Sequence, residues 1–105
     1  MNKFMRLLIM FDLPTLTKAE RRAACQFRSF LKKDGFTMLQ WSVYSRICNG
    51  MDCVEEHKKR IKANLPRKGS VRALLLTEKQ FESFEILLGN RNKSADRAKN
   101  LMDVF

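Results

Sequence analysis

The sequence predicts a single α+β domain whose elements follow the order β-α-β-β-α-β, with an additional strand towards the C-terminus. Short apolar runs bounded by turn residues predict the strands, and two longer segments with apolar residues at helical spacing predict the helices. The length of 105 residues leaves room for only one modest core. This element order is typical of a ferredoxin-like sandwich, in which an antiparallel sheet carries both helices on one face.

The first strand and the first helix have well-marked ends. The apolar run Phe4–Phe11 predicts a buried strand that stops at Asp12, because Pro14 cannot donate a hydrogen bond to a sheet. Thr17–Asp34 predicts a helix, which opens with a T-x-x-E capping box and carries its apolar residues on one face. Gly35 follows as the left-handed residue that ends this helix.

The remaining segments complete the element order. Phe36–Ile47 is rich in aromatic and β-branched residues but long for one strand, which predicts two strands joined by a bend near Gln40–Ser42. Asp52–Leu65 predicts the second helix, with its first residue as the N-cap. Ser70–Leu76 predicts a strand buried on both faces, and Phe84–Leu88 predicts the additional strand.

The chain divides into a folded domain and a tail. Residues 1–89 hold all the predicted elements and form the ferredoxin-like domain. Residues 90–105 are polar and basic at first and then end in the apolar segment Leu101–Phe105. Two interpretations of this tail stay open: a frayed terminus, or a docking segment whose apolar end binds a partner.

The charge balance predicts an anionic partner. Lysine and arginine total 21 against 11 aspartate and glutamate residues, which gives a net charge of +10. Nucleic acid is the usual partner of so basic a small domain, although a basic surface without a specific ligand is the alternative. An anionic membrane is disfavoured, because no predicted helix combines a wide apolar face with a basic one.

The cysteines and the short apolar runs predict a cytoplasmic protein. At least one of the three cysteines stays unpaired, which is typical of a reducing compartment. The apolar start of the chain is too short for a signal peptide or a transmembrane helix. Cys48, Cys53 and His57 lack the spacing of a zinc site.

Asp12 is the candidate catalytic and metal-binding residue, since no Ser-His or Cys-His pair is indicated by spacing. Mg²⁺ prefers oxygen ligands and usually needs more than one anionic group. A twofold axis beside Asp12 would bring a second Asp12 from a partner subunit. One ion held between them could activate water against a phosphodiester. The alternative is a strand-end aspartate that only caps a turn.

Five basic residues are candidates for contact with nucleic acid. Lys18, Arg21 and Arg22 lie at the entrance to the first helix, close in sequence to the strand-end acid. Arg67 and Lys68 lie in the turn before a strand. Such groups position a duplex through its phosphates without reading its sequence.

Several ordered segments of the chain resemble one protein family. The segments are Met5–Pro14, Phe27–Leu31, Gly35–Arg46, Gly69–Arg72 and Leu76–Phe81. Together they resemble the small CRISPR-associated adaptation protein Cas2, in the variant that accompanies single-effector (type II) systems. The resemblance covers most of the chain and is weakest in the tail.

The resemblance implies a ferredoxin-like homodimer that bridges two dimers of the Cas1 integrase. Together, members of these families hold a duplex DNA prespacer and insert it into the CRISPR array. The resemblance also implies metal-dependent endonuclease activity on RNA or DNA, with Asp12 as the Mg²⁺ ligand, although integration need not use that chemistry. The basic residues of the family fall on Arg21 and Arg22.

Two other functions suit the same architecture. One is a toxin-like endoribonuclease. The other is a non-catalytic RNA-binding module, which should expose stacking aromatic residues on its sheet. Phe36, Trp41 and Tyr44 are instead expected to lie in the core or in an interface.

Overall fold

Four antiparallel strands form one sheet in the order β2-β3-β1-β4. The computed structural model describes residues 4–88, so the predicted tail lies outside the described residues. The α+β ferredoxin-like fold is confirmed, and its elements are β1 Phe4–Asp12, α1 Lys18–Lys33, β2 Thr37–Gln40, β3 Val43–Asn49, α2 Met51–Ala63, β4 Ser70–Thr77 and α3 Glu78–Glu82.

Both long helices pack on the same face of the sheet. Side chains alternate between the two faces of a strand, and Leu7, Ile9 and Phe11 of β1 join Phe27 of α1 and Val54 of α2 in one buried cluster. The even-numbered residues of β1, Asp12 among them, therefore lie on the opposite face.

Neither long helix lies on that opposite face, and we call it the open face. The short helix α3 contacts it at Arg6, and Leu8 and Ser45 are buried on it. It carries Leu8 and Met10 of β1, and the register places beside them Val43, Ser45 and Ile47 of β3 and Arg72, Leu74 and Leu76 of β4. The prediction that β4 is buried on both faces is wrong for this chain, since Leu74 is 45% exposed. The run of apolar residues in β4 reflects an apolar open face rather than a second helix layer.

The predicted start of α1 is confirmed in atomic detail. The Glu20 amide donates to the Thr17 hydroxyl at 3.1 Å, and the Thr17 amide donates to Glu20 Oε1 at 3.0 Å. These two bonds satisfy amides that have no partner within the helix. Gly35 has φ +91° directly after the helix, in the left-handed region that the sequence predicts.

The second helix differs from its prediction at both ends. It begins at Met51 with Gly50 as the N-cap, rather than with Asp52, and it ends at Ala63. Its inner face buries His57, whose Nδ1 lies 2.6 Å from Oδ2 of Asp34 at the end of α1. This contact joins the two helices through polar groups.

The predicted additional strand is not formed. Phe84–Leu88 is irregular, and the short helix α3 precedes it. A second capping box, between Thr77 and Gln80, starts this helix. Between residues 4 and 88, no helix is long and apolar enough to cross a membrane.

The start of α3 is joined to the sheet by an ion pair. Arg6 donates from Nε and Nη2 to the two oxygens of the Glu78 carboxylate, at 2.9 and 3.1 Å. The Cζ atom of Arg6 lies 4.1 Å from the centre of the Phe81 ring. Hydrogen bonding from Arg6 holds the pKa of Glu78 below its usual value.

Candidate active site and nucleic-acid interface

Asp12 ends β1 as an exposed carboxylate on the open face. It pairs through its backbone with Ser70 of β4. No side chain of residues 4–88 donates to its carboxylate or forms an ion pair with it. A carboxylate without partners at a strand end is available to bind a cation or to act as a base.

The loop before β4 closes tightly over the backbone of Asp12. Gly69 has φ +103°, and a Cβ added there would lie 2.6 Å from the Asp12 carbonyl oxygen. The same Cβ would lie 2.8 Å from Cδ2 of Leu13. Only glycine permits both this φ and this approach, so Gly69 fixes the position of the Asp12 backbone.

The chemistry of Asp12 suits Mg²⁺, but one chain supplies too few ligands. In the described part of the chain, no three His, Cys, Asp or Glu side chains lie close enough to hold a metal ion. Carboxylate oxygens are the ligands that Mg²⁺ prefers, and phosphate oxygens of a substrate complete such sites. Asp12 therefore fits as one ligand of a site that needs further oxygens from another subunit or from nucleic acid.

The turn before β4 brings two predicted basic residues against α1. Lys68 Nζ lies 3.6 Å from Glu20, and both Arg67 and Lys68 line a groove of about 210 Å³ beside the first turns of α1. The backbone amide of Thr17 lowers the pKa of Glu20, so its carboxylate stays charged beside Lys68. The register of Ser70 with Asp12 places this turn at the same end of the sheet as the candidate metal ligand.

The other predicted basic residues do not form a single patch. The Arg21 guanidinium donates to the carbonyl oxygens of Thr15 and Leu16, at 3.1 and 3.0 Å, and so holds the loop before α1. Lys18 is exposed on the first turn of α1. Arg22 lines a different shallow groove together with Lys33. The structure therefore separates Arg22 from the turn that holds Arg67 and Lys68.

Two further groups near this end of the sheet were not predicted as site residues. Arg72 is exposed on the open face, two residues along β4 from Ser70, which pairs with Asp12. The alternation of β4 is the signal that could have identified it. Trp41 is 57% exposed at the turn between β2 and β3, so it does not lie in the core, and its place in an interface stays a prediction.

Trp41 lies against the guanidinium of Arg28. The Arg28 Cζ atom lies 3.6 Å from the Trp41 ring centre and 4.9 Å from that of Phe11. A local pattern does not reveal this contact, because it joins three separate elements. By contrast, Phe36 and Tyr44 are buried, as expected.

Comparison with known proteins identifies a family to which this sequence is similar. The family model described as CRISPR associated protein Cas2 matches residues 5–84. A CRISPR-associated endoribonuclease Cas2 from Acidovorax ebreus is 55% identical over 81% of this chain and 83% of that protein. A protein of the same name from Campylobacter jejuni is 51% identical over 84% of this chain, which spans 62% of that relative.

A solved structure supports the same fold. The structure titled "Crystal structure of cas2" superposes with a TM-score of 0.58 and covers 87% of this chain and 92% of its own, at 17% identity. At that identity the likeness concerns the fold alone, whereas the family model and the two relatives cover most of the sequence. The chain therefore belongs to the Cas2 family of CRISPR-associated proteins.

Proposed function

We propose that this protein is a homodimeric subunit of the CRISPR spacer-acquisition complex, with a metal-dependent endonuclease site at the dimer axis. In this role it binds a duplex DNA prespacer and bridges two Cas1 integrase dimers. Membership of the Cas2 family supports the CRISPR role. Relatives named as endoribonucleases support nuclease activity on RNA or DNA. The free cysteines suit action in the reducing cytoplasm.

The open face supports the homodimer. On this face Leu74 of β4 and Ile47 of β3 are about half exposed, at 45% and 46%, on either side of β1. Exposed apolar side chains on one face of a sheet are typical of an interaction surface. A second copy of the same face would bury them with twofold symmetry.

The unpaired carboxylate of Asp12 on the open face is the observation that carries the catalytic proposal. If two open faces pack together, the two strand ends that bear Asp12 belong to the interface and can approach one another. Two carboxylates and the phosphate oxygens of a substrate would then meet the ligand needs of Mg²⁺. Bound Mg²⁺ supplies Lewis-acid activation of water and neutralises phosphate charge. The Asp12 pair would hold the site in place, and Arg72 would attract the substrate backbone.

Substitution of Asp12 tests the catalytic proposal. We expect Asp12→Ala to abolish Mg²⁺-dependent cleavage of labelled RNA and DNA while leaving the dimer intact by light scattering. Asp52→Ala is the matched control, because Asp52 is also an exposed acid but lies on the first turn of α2. Cleavage that survives in purified Asp12→Ala protein would show that the activity belongs to another site or to a contaminant.

Substitutions in the basic turn before β4 test the proposed nucleic-acid interface. We expect Arg67→Ala with Lys68→Ala to weaken duplex binding and to flatten its salt dependence. The log–log slope should fall by about 0.9 for each phosphate that the protein no longer neutralises. Lys59→Ala with Lys62→Ala removes the same charge from the exposed side of α2 and serves as the control. Equal effects of both pairs would indicate a general charge effect rather than an interface at the turn.

The integration role is tested separately from cleavage. Prespacer integration by the Cas1 partner should require this protein and should persist with Asp12→Ala. Integration that is unaffected by removal of the protein would exclude the bridging role.

The second candidate function is a toxin-like endoribonuclease, which the names of the relatives favour over a DNA enzyme. It predicts cleavage of RNA in preference to duplex DNA and growth arrest on expression. Wild-type protein and the Asp12→Ala variant, expressed in parallel, would separate toxicity due to cleavage from a general effect of expression.

A further inference from the structure

The turn between β2 and β3 presents an aromatic ring to solvent in a fixed orientation. Gln40 pairs with Val43, so Trp41 and Ser42 form a two-residue turn. The Phe11 amide donates to the Ser42 carbonyl oxygen at 3.1 Å, which attaches the turn to β1 next to Asp12. The indole therefore lies at the same end of the sheet as the candidate active site.

Arg28 of α1 holds the inner face of this indole. Its guanidinium lies between the rings of Trp41 and Phe11 and donates through Nη2 to the Ser42 hydroxyl at 2.9 Å. The stacked arginine covers one side of the indole, yet the residue stays 57% exposed. The exposed surface is a flat aromatic face of the kind on which a nucleobase stacks.

The turn itself accounts for the positive φ of Ser42, +71°, because two-residue hairpin turns take positive φ at a central residue. The environment of Arg28 is energetically unfavourable, and closing the turn does not require it. The Nη1 atom of Arg28 is buried and has no hydrogen-bond partner in the described structure. A buried polar group without a partner in a folded protein calls for an explanation, and a functional site is one.

The surrounding charge favours nucleic acid as the occupant. Arg21, Arg28 and Lys32 recur at positions i, i+7 and i+11 of α1 and so share one side of the helix. A strand that stacks a base on Trp41 can place its phosphates along this side. Because α1 packs on the face opposite the open face, this platform is left uncovered by the proposed dimer.

We propose that Trp41 is a stacking platform for an unpaired nucleobase and that Arg28 is the positioning residue that orients it. The ligand class is single-stranded DNA or RNA, including the unpaired end of a duplex. This inference deepens the proposed function and rests on it, since it assigns the partner strand a defined place beside the Asp12 end of the sheet.

The test uses the full chain in the absence of divalent metal, so that binding is measured without cleavage. Trp41 is the only tryptophan, and its emission therefore reports on this position alone. We expect a single-stranded oligothymidylate to quench this emission and a blunt duplex of equal length to leave it nearly unchanged. The Asp12→Ala protein should show the same quenching, so loss of the nuclease function would not imitate loss of stacking.

Substitution then measures the contribution of the ring. Stacking of one base corresponds to about a 5- to 150-fold change in affinity. We expect Trp41→Ala to bind a labelled single strand more weakly by that factor, as measured by fluorescence anisotropy. Trp41→Phe should retain most of the affinity of the unmodified protein. Arg28→Gln should give an intermediate loss. Leu65→Ala, at another exposed apolar residue, should bind as the unmodified protein does.

Three results would overturn the inference. The first is binding of the single strand, detected by anisotropy, without any change in Trp41 emission. The second is equal affinity of Trp41→Phe, Trp41→Ala and the unmodified protein. The third is a change in emission on addition of Cas1 alone and not of the oligonucleotide, which would make the platform a protein contact. The first result needs no variant, so the inference stays testable if Trp41→Ala fails to fold.

Discussion

Replacing Gly69 by alanine should destabilise the protein more than the same replacement at Gly50. Both glycines have positive φ, +103° and +92°, so alanine carries a similar conformational penalty at each. They differ in what a new methyl group would contact. At Gly50 nothing lies within 4 Å, whereas at Gly69 the methyl group would lie 2.6 Å from the backbone oxygen of Asp12.

The size of the difference follows from these contacts. Gly50 has φ 92° and ψ 169°, a conformation that is nearly restricted to glycine. A side chain held in such a conformation costs about 1–3 kcal/mol, and this is the whole effect expected for Gly50→Ala. At Gly69 the end of β1 must also move, and overpacking of this kind costs a further ~1–3 kcal/mol. We therefore expect Gly69→Ala to lower the free energy of unfolding by about 2–6 kcal/mol.

Urea denaturation at one fixed protein concentration measures both effects, because the stability of a dimer depends on concentration. Trp41 emission and far-ultraviolet circular dichroism should give the same midpoint if unfolding is two-state. Gly69→Ala should also reduce Mg²⁺-dependent cleavage, since it displaces the backbone of Asp12, while Gly50→Ala should not. Equal loss of stability in the two variants would refute the argument that the turn before β4 packs against Asp12.

Three further predictions concern buried and paired groups. Asp34→Asn should lower the free energy of unfolding, measured by urea denaturation, by about 1–3 kcal/mol, because the buried His57 and Arg60 lose their carboxylate partner. The exposed control Asp52→Asn should cost little, and equal costs would contradict this. The lowered pKa of Glu78 means that its ion pair stabilises the fold above pH 4.5 and is lost as pH falls through the lowered value. In Glu78→Gln the free energy of unfolding should therefore fall less steeply as the pH is lowered. An unchanged pH dependence of stability in acid would contradict this prediction. Burial raises the pKa of Cys48 to about 11, so iodoacetamide should alkylate the exposed Cys25 well before Cys48, as peptide mass spectrometry would show. Equal rates would contradict it.

The element order could be predicted because its signals are local. The apolar run of β1 and the capping box at Thr17 each involve residues within one strand or one turn. The second helix begins one residue before its predicted range, and its N-cap is Gly50 rather than Asp52, without a side-chain hydrogen bond to the helix start. The additional strand was wrong for a different reason: a capping box at Thr77 started a helix there, and Phe84–Leu88 has no strand partner in the described chain.

The candidate site was predicted only as a list of residue types. Asp12 was identifiable because an acid that ends a buried strand is visible in the sequence itself. The grouping of the basic residues was not, because Arg21 turned back onto the loop before α1 while Lys68 reached Glu20. Whether a long side chain is bound within the protein or free for a ligand depends on neighbours that are distant in sequence.

The sequence alone therefore determined the fold class, the basic charge and the acid at the end of the first strand, all of which depend on composition and short-range periodicity. The tertiary structure decided which face of β1 carries Asp12 and which glycine holds its backbone in place. It also decided that Arg28 meets Trp41. These features arise from strand register and helix packing, which join residues far apart in the chain and so leave no local pattern.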